Sequence, residues 1–160
     1  MADRLLAILR HGKAERDSPT GMDADRPLAA RGARQAEWMG DKLAEAGFGN
    51  AAVFASPAAR TWATAEFVAE ALGTAAIRDD RLFTSGTVES AFELLAERAA
   101  ADRLVIVGHN PTVSLVASVL THGVGPCAVS LRTGAAAVCT HSGVIEPGGA
   151  RLTGVWRLEE

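Results

Sequence analysis

Two histidines and two arginines stand where an α/β chain does chemistry. The apolar run Leu5-Leu6-Ala7-Ile8-Leu9 stops at Arg10-His11-Gly12. Five apolar residues closed in this way predict a buried strand opening into a loop. A second apolar run, 51–55, gives way to Ser56-Pro57-Ala58-Ala59-Arg60, and a third, 104–107, to Gly108-His109-Asn110-Pro111. In an α/β fold, ligands collect at the carboxyl ends of the strands, so these three segments converge on one edge of a parallel sheet. Arginine offers a planar fork of donors that matches phosphate oxygens. Histidine can act as a covalent nucleophile. Helix N-termini beginning at two of these strand ends add partial positive charge and free N–H groups. The set describes a phosphate site, and it contains no acidic cage that would hold a metal. Each residue also has a plain structural reading: Arg10 and His11 as a polar strand end, Arg60 as an ion-paired helix arginine, His109 as a core histidine capping a helix.

The elements that position these residues follow from periodicity. Strands are predicted at 5–9, 51–55, 75–77 and 104–107. Helices are predicted at 28–46, where Leu28, Ala36, Met39, Leu43 and Ala46 share a face before Gly47, then at 56–72, 88–100 and 112–120. In the second helix Ser56 suits the N-cap and Pro57 the first turn. In the third, Phe92, Leu95 and Ala99 point inward. Residues 13–27 form a long polar loop, a length that is often functional in a compact domain. After Gly123 the pattern becomes β, at 135–140 and 152–158, with a Pro-Gly-Gly turn at 147–149. Repeated β-α alternation with a β-rich tail predicts a three-layer α/β/α sandwich with a mostly parallel central sheet.

Composition narrows the field. The 160 residues are 48% hydrophobic and 22% charged, an ordinary globular balance that suits one domain over 1–160. The net charge of −3 gives no global attraction for nucleic acid or a membrane surface, so an anion site must be local. No stretch approaches the roughly 20 apolar residues of a membrane span. The apolar start is too short for a signal segment and carries Asp3 and Arg4, which points to the cytoplasm. Cys127 and Cys139, without CxxC spacing, read as reduced thiols with no catalytic context. Trp38, Trp62 and Trp156 read as packing residues, and His141 as solvated. His122-Gly123-Val124-Gly125 follows a helix rather than a strand, so it is no dinucleotide loop.

Taken in order, the motifs resemble the histidine phosphatase superfamily, also called phosphoglycerate mutase-like, and within it the small SixA-type phosphohistidine phosphatases. The matching residues are Leu9-Arg10-His11-Gly12-Lys13-Ala14-Glu15, Arg26-Pro27-Leu28 with Arg31-Gly32, Ser56-Pro57-x-x-Arg60 with Thr64, and Val107-Gly108-His109-Asn110-Pro111. One departure is that Thr61 and Ala63 stand where the family often carries alanine and glutamine. The resemblance implies a phosphoglycerate mutase-like fold and a phosphatase that needs neither metal nor other cofactor. It makes His11 the nucleophile, with Arg10, Arg60 and His109 around the phosphoryl group. A neutral imidazole is required, and an unperturbed pKa of about 6.5 makes it available near neutral pH. Gly12 and Asn110 would border the phosphate. Arg26 would close the pocket or else pair with Asp25, and Gly12 would let the backbone approach the ligand.

The proton donor stays open. Glu89 lies where many relatives place an acid, and Asp17, Asp23 and Asp25 in the long loop are rivals. A protonated imidazole leaves phosphorus without help, whereas an alcohol needs an acid. A site without an acid would therefore favour phosphohistidine of a signalling protein over a small phosphomonoester. The chain has little spare sequence for a lid, which disfavours a mutase. A non-catalytic phosphate-binding module is the alternative of another class, but pure binding has no use for a nucleophile.

Overall fold

The computed structural model describes residues 3–123 and 128–159, so Cys127 and the end of the 122–125 motif lie outside it. The strands are β1 (Arg4–Arg10), β2 (Ala52–Ala55), β3 (Ala76–Arg78), β4 (Arg103–Gly108), β5 (Ala136–His141) and β6 (Ala150–Trp156). The helices are α1 (Ala30–Glu45), α2 (Ala59–Leu72), α3 (Val88–Glu97) and α4 (Thr112–His122). One sheet runs in the order β3-β2-β4-β1-β5-β6. The contacts from β3 to β1 are parallel, and β5 runs antiparallel to both neighbours. The sheet is therefore mostly parallel, as the β-α alternation predicts.

The central strands β1, β2 and β4 are apolar on both faces because both are covered. Leu6, Ile8, Phe54, Leu104 and Ile106 face the layer of α3 and α4, where they meet Leu94, Leu95, Val116 and Leu120. The alternate residues Ala7, Leu9, Val53, Val105 and Val107 face α1 and α2, where they meet Met39, Leu43, Val68 and Leu72. This is the three-layer α/β/α sandwich. The three tryptophans pack against the second of these clusters.

Several boundaries move for physical reasons. α1 starts at Ala30 rather than Leu28, because Leu28 forms a β-bridge with Ala14 that ties down the end of the long loop. α2 starts at Ala59, three residues after Ser56, and Ser56 is not its cap. α3 stops at Glu97, while α4 continues to His122. His141 is buried rather than solvated, and its Nδ1 accepts from the Gly143 N–H at 3.0 Å.

The tightest backbone contact joins the Arg10-His11-Gly12 loop to α1. A Cβ on Gly12 would lie 2.6 Å from the Gly32 carbonyl oxygen, and one on Gly32 would strike the Lys13 carbonyl oxygen. Close backbone approach is what glycine permits. Here the approach of α1 alone already demands Gly12. Gly32→Ala is expected to destabilise the fold by about 1–3 kcal/mol, the usual range for overpacking, in a denaturant melt. A stability equal to that of the wild type would refute the contact.

Candidate active site

The site forms at the carboxyl ends of three adjacent strands, β1, β4 and β2. Arg10 pairs in register with Gly108, so His11 and His109 are the first residues beyond two neighbouring parallel strands. The His11 N–H donates to the Gly108 carbonyl at 3.2 Å, and the two rings stand 5.3 Å apart between centroids. On the other side of β4, the Ser56 N–H donates to the Val107 carbonyl, which sets Ser56 beside His109 and places Arg60 in the first turn of α2. The chain order β1, β2, β3, then back to β4 reverses direction next to β1. Such switch points are where open sheets form ligand crevices.

His11 is 7% exposed. Its Nδ1–H donates to the Gly12 carbonyl at 2.7 Å, which fixes the tautomer and leaves Nε2 with its lone pair. Gly12 is held in turn by its own N–H, which donates to Thr64 Oγ1 at 3.1 Å, and Thr64 Oγ1 donates to the Arg60 carbonyl. Burial pushes the His11 pKa down to about 4. The Gly12 hydrogen bond opposes that fall, and the charges of Arg60, Arg10 and Arg26 reinforce it. The imidazole is therefore neutral at pH 7. Burial, with His11 and Arg60 nearby, lowers His109 further, to about 3.

Arg60 is a buried cation whose fork is split. Its Nη1 and Nη2 donate to the backbone carbonyl and the carboxylate of Asp23, at 2.8 and 3.0 Å. Nη2 also reaches His109 Nδ1 at 3.5 Å. Arg10 donates from Nη1 to the Leu131 carbonyl at 3.3 Å. The buried Nε–H groups of both arginines have no partner among the described residues. Buried donors are seldom left unpaired, and a guanidinium N–H suits an oxyanion.

Arg26 closes the outer side of this group. It pairs with Asp23 rather than Asp25, through Nε–H to Oδ1 at 3.0 Å, and donates from Nη1 to the Glu15 carbonyl. Asp25 is turned away and accepts from Thr20 Oγ1. Glu89 is exposed on the first turn of α3 and takes no part in the hydrogen bonds of the site. Asp17 is exposed and likewise takes no part in them. Of the four candidate acids only Asp23 touches the site. Its partial burial works against ionisation, but the bonds from Arg26 and Arg60 win and hold its carboxyl below the usual carboxylate range. Asn110 does not cap α4 or face the two histidines. Its amide donates to the Leu131 carbonyl at 2.7 Å and accepts from Ser114 Oγ, tying the segment before β5 to the helix.

Two site residues carry no warning in the sequence. Ser56 is fully buried, and its Oγ lies 2.8 Å from His109 Nε2, while Thr61 Oγ1 lies 3.3 Å from the same nitrogen. The Ser56 hydroxyl also accepts from the Ala58 N–H. A Ser-Pro before a helix carries the same signal whether the serine caps the helix or faces a histidine. Thr61, the departure from the family pattern, is put to use here.

Residues 6–83 match the model of the Histidine phosphatase superfamily (branch 1). The fold superposes on a structure assigned as the phosphohistidine phosphatase SixA of Agrobacterium tumefaciens with a TM-score of 0.81, at 24% identity, covering 98% of this chain and 99% of that one. A protein histidine phosphatase SixA complexed with tungstate gives 0.82 at 24% identity, covering 96% of each chain. A mycobacterial glucosyl-3-phosphoglycerate phosphatase gives 0.71 at 16% identity, covering 99% and 100%. No curated protein sequence matches the chain. Over residues 6–83 the chain is thus similar to the histidine phosphatase superfamily, and the full-length superposition gives it the fold of the SixA structures.

The depressed histidine pKa values set a pH dependence. A histidine that is neutral when buried takes up its proton in the unfolded chain near pH 6.5 and in the folded protein only near pH 4 or below. The unfolded state therefore binds more protons across that window. Stability is full above about pH 6.5 and falls as the pH drops toward 4. An NMR titration is expected to show the His11 ring protons shifting near pH 4; a midpoint near 6.5 would contradict the burial argument.

Proposed function

We propose that this protein is a phosphatase that takes a phosphoryl group onto Nε2 of His11 and passes it to water, and that its substrate is a phosphohistidine. One observation carries the reading: the His11 ring is held through Nδ1 by the Gly12 carbonyl, which leaves its Nε2 lone pair for chemistry, and it sits in the field of Arg60 and Arg10. Positioning and fixed charge supply most of the catalysis of phosphoryl transfer. In the first step the Nε2 lone pair attacks phosphorus while the bond to the leaving group breaks. In the second, water attacks phosphorus, the electron pair of the P–N bond returns to His11, and the water proton leaves with phosphate or solvent. Arg10 and Arg60 balance the charge of the phosphoryl oxygens. His109, with Nδ1 facing Arg60 Nη2 and Nε2 held by Ser56 Oγ, would line the pocket beside those oxygens.

The substrate class follows from the state of Asp23, the candidate acid at the site. An alcohol leaving group depends on a proton donor worth about 10²–10⁴ in rate. Asp23, held ionised by two arginines, is a poor donor. A phosphohistidine ring protonated on its other nitrogen is already a good leaving group, and it departs as neutral imidazole. The likeness to structures described as phosphohistidine phosphatases supports the same choice.

His11→Ala is expected to lower turnover of a phosphohistidine peptide by at least about 10³-fold while leaving the thermal melt near that of the wild type; retained activity would end the proposal. Rapid acid-free quenching of the wild type should trap a phosphorylated enzyme that the variant lacks. The donor set offers no cage for a metal, and no group of three metal-binding side chains stands together among the described residues. Chelators are accordingly expected to leave turnover unchanged. A panel that sets phosphohistidine peptide against phosphomonoesters tests the substrate class, and faster turnover of the monoesters would shift it to small phosphorylated metabolites.

A further inference from the structure

We infer that Asp23 is a specificity-determining residue, a fixed negative charge at the mouth of the site that selects substrates with a cationic leaving group and turns away anionic ones. The inference rests on the reading of His11 given above and extends it to the group attached to the phosphoryl. It starts from where the carboxylate lies. Both Asp23 oxygens accept from arginines, one from Arg60 and one from Arg26, each at 3.0 Å. The Asp23 side chain is nonetheless 60% exposed, against 4% for that of Arg60. The carboxylate therefore has one side on the arginines and another open to whatever enters.

What it opens on is a cleft of about 550 Å³, lined by Asp23 and Arg26 together with Arg16, Asp17, Ser18 and Gly21. Arg26 and Asp23 are the outer partners of Arg60, so this cleft begins where the phosphoryl site ends. A group bonded to phosphorus on the side away from His11 has that space to occupy. The turn Asp23–Asp25 is anchored at its start by the Asp23 carbonyl on Arg60, which fixes the carboxylate in this place.

The balance of charge gives the sign. Arg10, Arg26 and Arg60 surround His11 with three positive charges, and Asp23 cancels one. A phosphoryl group near a charge of −2 cancels the other two. Arg16 and Asp17 on the cleft wall offset each other. A leaving group that brings a negative charge then meets Asp23 with no cation to spare. One that brings a positive charge, such as an imidazolium, completes the pairing. The same carboxylate favours the protonated ring that leaves without an acid, so charge selection and leaving-group chemistry point to one substrate class. No proton has to pass through Asp23 for this to work: the P–N bond breaks, its electron pair goes to the imidazole nitrogen, and the ring keeps the proton it arrived with.

The test compares N-phosphorylimidazole with N-phosphorylimidazole bearing a ring carboxylate, on the wild type, Asp23→Asn and Asp23→Glu. The wild type should prefer the first substrate in kcat/KM. Asp23→Asn should shrink that preference by about tenfold, the scale of one charge pair near a protein surface, and Asp23→Glu should keep it. Equal loss on both substrates would show that Asp23 only holds Arg60 in place, and would overturn the inference. If Asp23→Asn does not fold, salt serves instead. The wild-type preference should fall as ionic strength rises from about 0.01 M to about 1 M, and a preference indifferent to salt would overturn the inference as well. Hydrolysis of neither compound by the wild type would refute the His11 reading itself, a result distinct from loss of selectivity alone.

Discussion

Everything at the site hangs on the contact between two glycine backbones. Gly12 and Gly32 approach so closely that neither tolerates a Cβ. That approach locks the turn after β1 against α1. The Gly12 carbonyl is thereby fixed, and the His11 ring is fixed by the carbonyl. Thr64 grips the Gly12 N–H from α2, so two helices of one layer hold this residue from both sides. The His11 ring owes its orientation to main-chain geometry, and side chains elsewhere in the site can change without turning it.

The sheet supplies the second constraint. Parallel register between β1 and β4 brings the two histidines side by side, and the layers above and below keep water from them. Burial beside three arginines would be costly for two more cations, so both rings are neutral over the ordinary pH range. Neutrality is what a nucleophile needs. The arginines in turn tolerate burial because Asp23, Leu131 and Glu15 accept from them through carboxylate and carbonyl oxygens. The Nε–H groups of Arg10 and Arg60 remain unpaired among the described residues.

The architecture and the placement of His11, Arg10, Arg60 and His109 were legible in the sequence because each follows a short apolar run that could only be a buried strand. Strand ends are strong signals, since the change from apolar to polar and glycine is abrupt. Helix starts were less so: Ser56-Pro57 and Leu28 satisfy local capping and periodicity rules, yet tertiary partners, His109 and Ala14, claim them first. The acid was harder still. Asp17, Asp23 and Asp25 sit in one polar loop with no periodicity to rank them. Only the fold, by bringing Arg60 against that loop, distinguishes Asp23. His141 shows the same weakness in reverse, because a polar residue in a terminal strand gives no hint that the chain will bury it.

The Leu131 carbonyl oxygen receives both Arg10 and the Asn110 amide. Its two lone pairs are thus spent on residues from two different strand ends, and what holds Arg10 and Asn110 there is peptide rather than a side chain. Position 131 contributes its backbone trace and an apolar plug. Drift among apolar residues there would leave the electrostatics of the pocket as they are, while a one-residue insertion between α4 and β5 would misplace an acceptor that no residue identity reveals.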